Sequence, residues 1–369
     1  MRWIKALSAA AIVTVSVLFA LVAVEMYARY AKPTVYQNDK ELGWKLLPNV
    51  NITFDKLRFD QTEYKALITT NELGLRESGR KDNPQLTILI LGDSFTADPV
   101  AGNEDMWYVA ASRDLERLSG LEKNSIRTLG GGGGGYGTLQ ELLLLKQLKQ
   151  KISPDLLVLQ FSSTTDFMDN HLGVASHGIL RSQIMRRPYY SADGTIKYFD
   201  SPFAWLWRSP PTGDSKIFNK LDEIIQILQF RYYHDYYLPN SPELAAAYHK
   251  ELLAVTSDLL KKIRTELPNI PAVMINCCAK KDRLNGQWEN LGTEAGFTTF
   301  SSPSDTIERN KANKKLFFTD GGHLSPEGNA LFGRAFGQAL FDSGIISAML
   351  KNKSLAIPKN PSEVTAKRL

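Results

Sequence analysis

Short, nearly unbroken apolar runs alternate with longer segments of helical spacing through most of the chain. Leu86 to Leu91 (LTILIL), Leu156 to Phe161 (LLVLQF) and Ala272 to Asn276 (AVMIN) have the length and texture of strands buried on both faces. Ile126 to Leu129 reads as a shorter strand that runs into six glycines, Gly130 to Gly135. Trp107 to Leu118, Leu139 to Lys149 and Glu243 to Leu267 carry apolar residues at helical spacing. Ser241-Pro242 opens the third of these and Pro268 stops it, while Ser325-Pro326 opens a last helix running to about Leu340. Strands alternating with helices in this way predict βαβ units around a mostly parallel sheet.

Two regions break the rhythm. Ala6 to Val24 is a run of 19 residues without a charge, interrupted only by Ser8, Thr14 and Ser16. At 1.5 Å per residue it just crosses a hydrocarbon core roughly 30 Å thick. Arg2 and Lys5 precede it, which favours an N-terminus on the cytoplasmic side, and Arg29 and Lys32 follow it, which makes the bias weak. The run reads as an uncleaved anchor; a cleaved signal peptide is the rival, with Leu21-Val22-Ala23 as a poor cleavage site. Either reading sends the rest of the chain out of the cytoplasm. From about Asn170 to Tyr237 the sequence is rich in aromatics, among them Tyr189, Tyr190, Tyr198, Phe199, Trp205, Trp207, Tyr232 and Tyr233. Ala192-Asp193-Gly194 fits a hairpin turn there, and the region is expected to be an insertion over the sheet. The tail, polar and with two prolines, is expected to be disordered.

Composition narrows the class. Of 369 residues 43% are hydrophobic and 22% charged, which excludes a disordered chain, a collagen-like repeat and a polytopic membrane protein. Against 39 Asp and Glu stand 44 Lys and Arg, a net charge of only +5, and no basic stripe points to nucleic acid. The two Cys, Cys277 and Cys278, are adjacent and cannot form a disulfide framework. No Cys/His cluster marks a metal site, and no cofactor is implied.

Sites in open parallel sheets form at the carboxyl ends of strands. Three features fall there. Ser94 follows the first buried strand, the glycine run follows another, and Ser162 to Asp166 follows a third. Near the end of the chain, Thr319-Asp320-Gly321-Gly322-His323 places an acid three residues before a histidine, just before a helix. A serine hydroxyl becomes a useful nucleophile when a base takes its proton, which a histidine does near neutral pH. An acid beside the histidine fixes its tautomer and stabilises the cation that forms. A tetrahedral oxyanion needs donors at about 2.7–3.1 Å, and glycine backbone can approach closely enough to supply one. Taken singly, each has a plainer reading: Ser94 as a helix cap, Asp320 as a turn residue, His323 as an exposed loop histidine, the glycines as a flexible loop. His171, His177, His234 and His249 have no such setting.

Gly92-Asp93-Ser94-Phe95-Thr96 after a hydrophobic strand, with Asp320-Gly321-Gly322-His323 far downstream, resembles the SGNH/GDSL hydrolases. Leu42-Gly43-Trp44, Asn71-Glu72-Leu73-Gly74-Leu75-Arg76 and Gly135-Tyr136-Gly137-Thr138 before Gln140 resemble a bacterial, membrane-anchored branch of that family. The resemblance spans roughly Asn38 to Leu340. It implies an α/β fold, a three-layer α/β/α sandwich with a mostly parallel sheet. It implies Ser94 as nucleophile, His323 as base and Asp320 as its partner. The oxyanion hole would be the amides of Ser94 and Gly135 together with the third block, where Thr165 stands in place of the family's asparagine. Asp93 is expected to support the loop by hydrogen bonding.

The resulting expectation divides the chain into an anchor or signal peptide at 1–32, an extension packing on the core at 33–84, a hydrolase-like domain at 85–345 with its insertion at about 170–240, and a disordered tail at 346–369. The anchor would hold the chain in the inner membrane by a single span, with the domain on the periplasmic side of the cell envelope. The resemblance implies a serine esterase acting on an acylated carbohydrate or lipid ester. Two other functions fit the same residues: an O-acetyltransferase acting on an extracellular polysaccharide, and a catalytically impaired glycan-binding module.

Overall fold

The computed structural model describes residues 2–31, 35–97, 99–172, 187–198, 215–222, 224–225, 228, 242–277, 286–320 and 322–353. Its centre is a six-stranded sheet. The strands are β5 (Arg76–Ser78), β6 (Leu86–Gly92), β7 (Ile126–Gly132), β8 (Leu156–Phe161), β11 (Ala272–Asn276) and β12 (Thr298–Phe300), in the order β12-β11-β8-β6-β7-β5. All neighbours are parallel except the edge strand β5, which runs antiparallel to β7.

The apolar runs explain the layers. Every residue of β6 and β8 is buried, and alternate side chains enter opposite cores. Leu89, Leu91, Leu157 and Leu159 pack with α4 (Thr138–Leu148) and α6 (Pro242–Glu266). Ile88, Ile90, Leu156 and Val158 pack with α3 (Trp107–Ser119) and α9 (Pro326–Asp342). A three-layer α/β/α sandwich results. The helix starts follow the sequence signals: Ser325 Oγ accepts the Gly328 amide at 3.2 Å and Pro326 takes the first helical position.

Three boundaries differ from expectation. β7 runs three residues further, through Gly130, Gly131 and Gly132. Their neighbours leave no room for side chains: a Cβ on Gly130 would lie 2.6 Å from the Tyr108 hydroxyl. One short strand of the extension, β5, belongs to the sheet, since it pairs with β7. The tail expected to be disordered from 346 begins instead with a helix, α10 (Ile345–Asn352), whose Ile346, Met349 and Leu350 are buried in the α3/α9 core. The polar residues drew attention there; the apolar residues at i, i+3 and i+4 decide it. Residues 354–369 lie outside those described, as do Phe199, Trp205, Trp207, Tyr232, Tyr233, His177, His234, Cys278 and Gly321 of the expectations above.

The extension forms two hairpins, β1 (Tyr36–Asp39) with β2 (Gly43–Leu46) and β3 (Asn51–Leu57) with β4 (Glu63–Thr69), around a small core of Val35, Leu46, Val50, Ala66 and Ile68. Residues 42–44, 71–76 and 136–140 lock these to the domain. Gln140 Nε2 donates to the Leu42 carbonyl at 2.7 Å, and the Tyr136 hydroxyl donates to the Trp44 carbonyl. The Asn71 Oδ1 accepts the amides of Leu73 and Leu75, and Arg76 Nε donates to Asn103 at 3.0 Å. In the aromatic-rich region, β9 (Pro188–Tyr190) and β10 (Ile196–Tyr198) form the expected hairpin. The N-terminal run lies in one helix, α1 (Arg2–Ala31), the only one among the described residues long and apolar enough to cross a membrane.

Candidate active site

β6 is the strand at which the order reverses: the chain leaves it for β7 on one side and then for β8 on the other. A crevice at the carboxyl end of such a strand is where open α/β sheets bind ligands. Ser94 stands there, opening the single-turn helix α2 (Ser94–Ala97) directly after β6. The turn is held by polar contacts. The Asp93 carboxylate accepts the Phe95 amide at 2.9 Å. Gln160, a lone polar residue within the apolar run of β8, accepts the Asp93 amide at 3.2 Å and the Thr96 hydroxyl at 2.9 Å. A side chain on Gly92 would meet Gln160 Oε1 at 2.4 Å, so glycine is required there.

His323 arrives from the loop before α9. Phe318 donates its amide to the His323 carbonyl at 3.0 Å, which folds the loop into a tight turn. The extension steadies it from outside: the Thr319 amide donates to the Leu57 carbonyl and Arg58 bridges Phe318. From inside, Asn329 Nδ2 donates to the Leu324 carbonyl at 2.8 Å.

These elements bring three expected residues into one chain of contacts. His323 Nε2 lies 2.9 Å from Ser94 Oγ, and His323 Nδ1 lies 2.6 Å from Asp320 Oδ2. Asp320 Oδ1 accepts the amides of Gly322 and His323, each at 2.9 Å. Partial burial would raise the Asp320 carboxyl, but the hydrogen bonds from the His323 ring and from these amides outweigh it and hold it down to about 2. The Phe95 ring packs on the imidazole with centroids 5.1 Å apart. Phe95, Val100, Met106 and Leu324 give the cleft beside Ser94 an apolar wall.

The other expected residues take different places. Asp93 is buried beneath the turn, and burial pushes its carboxyl up to about 6. Thr165 sits at the end of β8, next to β6, and is half-buried; its side chain does not cap α5 (Asp166–Asp169). The turn before it is tied by Asn276, which accepts the Ser163 amide at 3.0 Å and donates to its hydroxyl at 3.0 Å. The Gly135 carbonyl accepts from the buried Arg187 guanidinium. Arg187 also pairs with Asp169 and lies over the Trp44 ring. The glycine that register sets beside Gly92 is Gly132. Its φ is +149°, and a Cβ there would come within 1.8 Å of the Gly92 carbonyl oxygen.

The chain is similar to an esterase from Pseudoalteromonas sp. (12% identity, covering 71% of this chain and 98% of that one, TM-score 0.37). It is similar to an acetylxylan esterase from Geobacillus stearothermophilus (11%, 70% and 95%, TM-score 0.36). It is also similar to a GDSL-like lipase from Parabacteroides merdae (13%, 71% and 97%, TM-score 0.36). No protein-family profile matches the chain, and no curated protein matches it at a significant level.

Sequence reasoning passed over the residues that brace the site. Gln160 was visible as a polar interruption of an apolar strand, and Asn276 as a polar end to one. Arg187 and Asn329 carried no local signal, because their partners lie far along the chain. His171 is close to Glu251 at 3.0 Å, and His249 is exposed on α6. Cys277 is a buried thiol at the end of β11. Among the described residues no group of three or more His, Cys, Asp or Glu is arranged to hold a metal ion.

Proposed function

We propose that the protein is a serine esterase that cleaves an O-acyl ester through an acyl-enzyme on Ser94. The observation that carries this reading is the unbroken contact chain Ser94 Oγ–His323 Nε2, His323 Nδ1–Asp320 Oδ2. His323 takes the Ser94 proton as the hydroxyl attacks the ester carbonyl. Asp320, held anionic, keeps the Nδ1 proton in place and stabilises the imidazolium. The tetrahedral adduct collapses, the imidazolium gives its proton to the departing alkoxide, and an alcohol leaves. Water then attacks the acyl-enzyme, His323 takes its proton, and a carboxylic acid is released as the proton returns to Ser94. The oxyanion would be met by the Ser94 amide, free of intrahelical bonding at the first turn of α2. The second backbone donor would come from the glycine run, from Gly135 or from Gly132, which register sets beside Gly92. Thr165 is the side-chain donor on the neighbouring strand end. Its hydroxyl is shorter in reach than an amide, so an oxyanion contact made through it is the weakest of the three. The apolar wall formed by Phe95, Val100 and Met106 suits a short acyl group, and an acylated carbohydrate or lipid fits as the ester. The helix α1 would anchor the domain to the membrane, with the domain on the periplasmic side; Arg2 and Lys5 before the span favour this side, and Arg29 and Lys32 after it make the bias small.

A second reading keeps the acyl-enzyme and replaces water with a sugar hydroxyl, making an O-acetyltransferase. The two are separated by giving the protein an acetyl ester with and without oligosaccharide. Free acetate at a rate indifferent to the sugar supports the esterase. Acetyl groups on the sugar, with acetate release suppressed, would replace it with the transferase.

A further inference from the structure

The membrane helix is tied to the aromatic-rich insertion at one point. Glu25 is the first residue after the apolar run Ala6–Val24. Its carboxylate accepts the Lys216 amide at 2.9 Å, the Ile217 amide at 3.0 Å and the Ser215 hydroxyl at 3.0 Å. Those amides open the helical residues 216–222, so a side chain of α1 caps another helix from outside. Residues 224, 225 and 228 are helical as well.

The second helix is turned with its apolar side outward. Leu221 is 44% exposed, Ile224 46% and Leu228 60%. At 100° per residue the three fall within an arc of about 60°. The other side meets the protein: Asp222 is buried and Asn219 accepts a hydrogen bond from Asn38. An apolar stripe facing out from a helix already docked by its polar side needs a cover.

The place of the stripe names the cover. Its helix starts against the first residue beyond the hydrocarbon-spanning run, at the level where lipid headgroups begin. Lys216 and Lys220 belong to this helix, and lysines of that kind suit a headgroup layer, while Arg29 is paired with Glu25 at 2.7 Å. We propose that this helix lies on the outer surface of the bilayer that Ala6–Val24 crosses, with Leu221, Ile224 and Leu228 at the boundary of headgroups and acyl chains. An amphipathic helix of this kind binds in the interface plane. Together with α1 it gives the domain two membrane contacts in place of one, and so restricts its rotation about the anchor. It also makes Glu25 a structural residue that cleavage of α1 would remove. The proposal rests on the reading of α1 as a membrane span.

The test uses the full-length protein in vesicles containing anionic lipid, with both native cysteines replaced by serine. An environment-sensitive fluorophore is attached at Ile224→Cys or, as a separate sample, at Val15→Cys within the span. Lipids carrying a quencher near the headgroup or deep in the acyl layer report the depth of each label. The proposal expects the label at 224 to be quenched about threefold more by the shallow quencher than by the deep one, and the label at 15 to show the reverse. In a Glu25→Ala background, quenching at 224 falls by about half or more while that at 15 is unchanged. Quenching at 15 without any at 224 would overturn the surface helix and leave the anchor intact. No quenching at either position would overturn the anchor and the proposal with it. Full quenching at 224 in the Glu25→Ala protein would remove Glu25 as the tether.

Discussion

Two sets of carboxylates flank Ser94, and their environments push them in opposite directions. On the outer side, Asp320 is about half exposed (48%) and takes three nitrogen donors, which keep it ionised to about pH 2. On the inner side, beneath the turn, Asp93, Glu141 and Asp166 are fully buried. Asp93 accepts the Phe95 amide and Asp166 accepts the Ser162 amide. Both oxygens of Glu141 and the second oxygen of Asp166 have no partner among the described residues. Burial raises all three, and for Asp166 the neighbouring Glu141 and Asp93 raise it further. Donors, more than proximity to Ser94, decide which of these acids holds a charge. Asp93 is the nearer neighbour of Ser94 in sequence, yet Asp320 is the one equipped to stabilise an imidazolium.

The largest effect that could break this contrast is on the outer set. His323→Ala should lower kcat/KM by on the order of 10⁴-fold or more, read with a short-chain p-nitrophenyl ester. Asp320→Asn should cost about 10³–10⁴-fold, because it removes the anion that fixes the tautomer. A loss below tenfold in either would assign the base or its partner elsewhere.

The inner set should show in stability. A carboxyl raised in the folded state holds its proton longer than in the unfolded chain. Its contribution is therefore present below the ordinary carboxylate value and is lost as pH rises from there. Glu141→Gln keeps the shape and removes the titration. Thermal melts should find the variant a few degrees more stable than the parent at pH 8, with the difference shrinking toward pH 5. An equal difference at both pH values would mean that Glu141 is already satisfied as an anion. Asp320 has the opposite sign: its contribution is present above its ordinary value of 3.8 and fades as pH falls toward about 2.

The smallest effect joins the two sets. Asp93 feels the charge of His323 across the nucleophile turn. Asp93→Asn preserves an acceptor for the Phe95 amide and removes the anion that favours the imidazolium. The acid limb of the kcat/KM profile should move to lower pH by less than about one unit. A move to higher pH would contradict the electrostatic coupling.

Much of this was legible in the chain before any coordinates. The apolar runs LTILIL, LLVLQF and AVMIN gave three sheet strands because burial on both faces leaves no other pattern. Ser94, Asp320 and His323 could be named because strand ends and the spacing D-x-x-H are local signals. The short strand β12 and the helices α7 (Gln287–Glu294) and α8 (Ser302–Arg309) were not legible, since each is short and mostly polar. The glycine run was legible as a special strand end and ambiguous in detail. Which glycine lies beside Gly92 depends on the pairing of β7 with β6, a non-local fact that sequence spacing does not contain. The buried acids beneath the turn were invisible for the same reason, since α4, α5 and β6 meet only in the fold.

The central claim is that Ser94 is a nucleophile activated by His323. The most direct measurement is labelling of the full-length protein with a fluorophosphonate, followed by intact mass and peptide mapping. The account predicts one adduct per chain, on the peptide containing Ser94, abolished by Ser94→Ala and strongly slowed by His323→Ala. A folded protein that takes no label, or takes it equally well without Ser94, would contradict it.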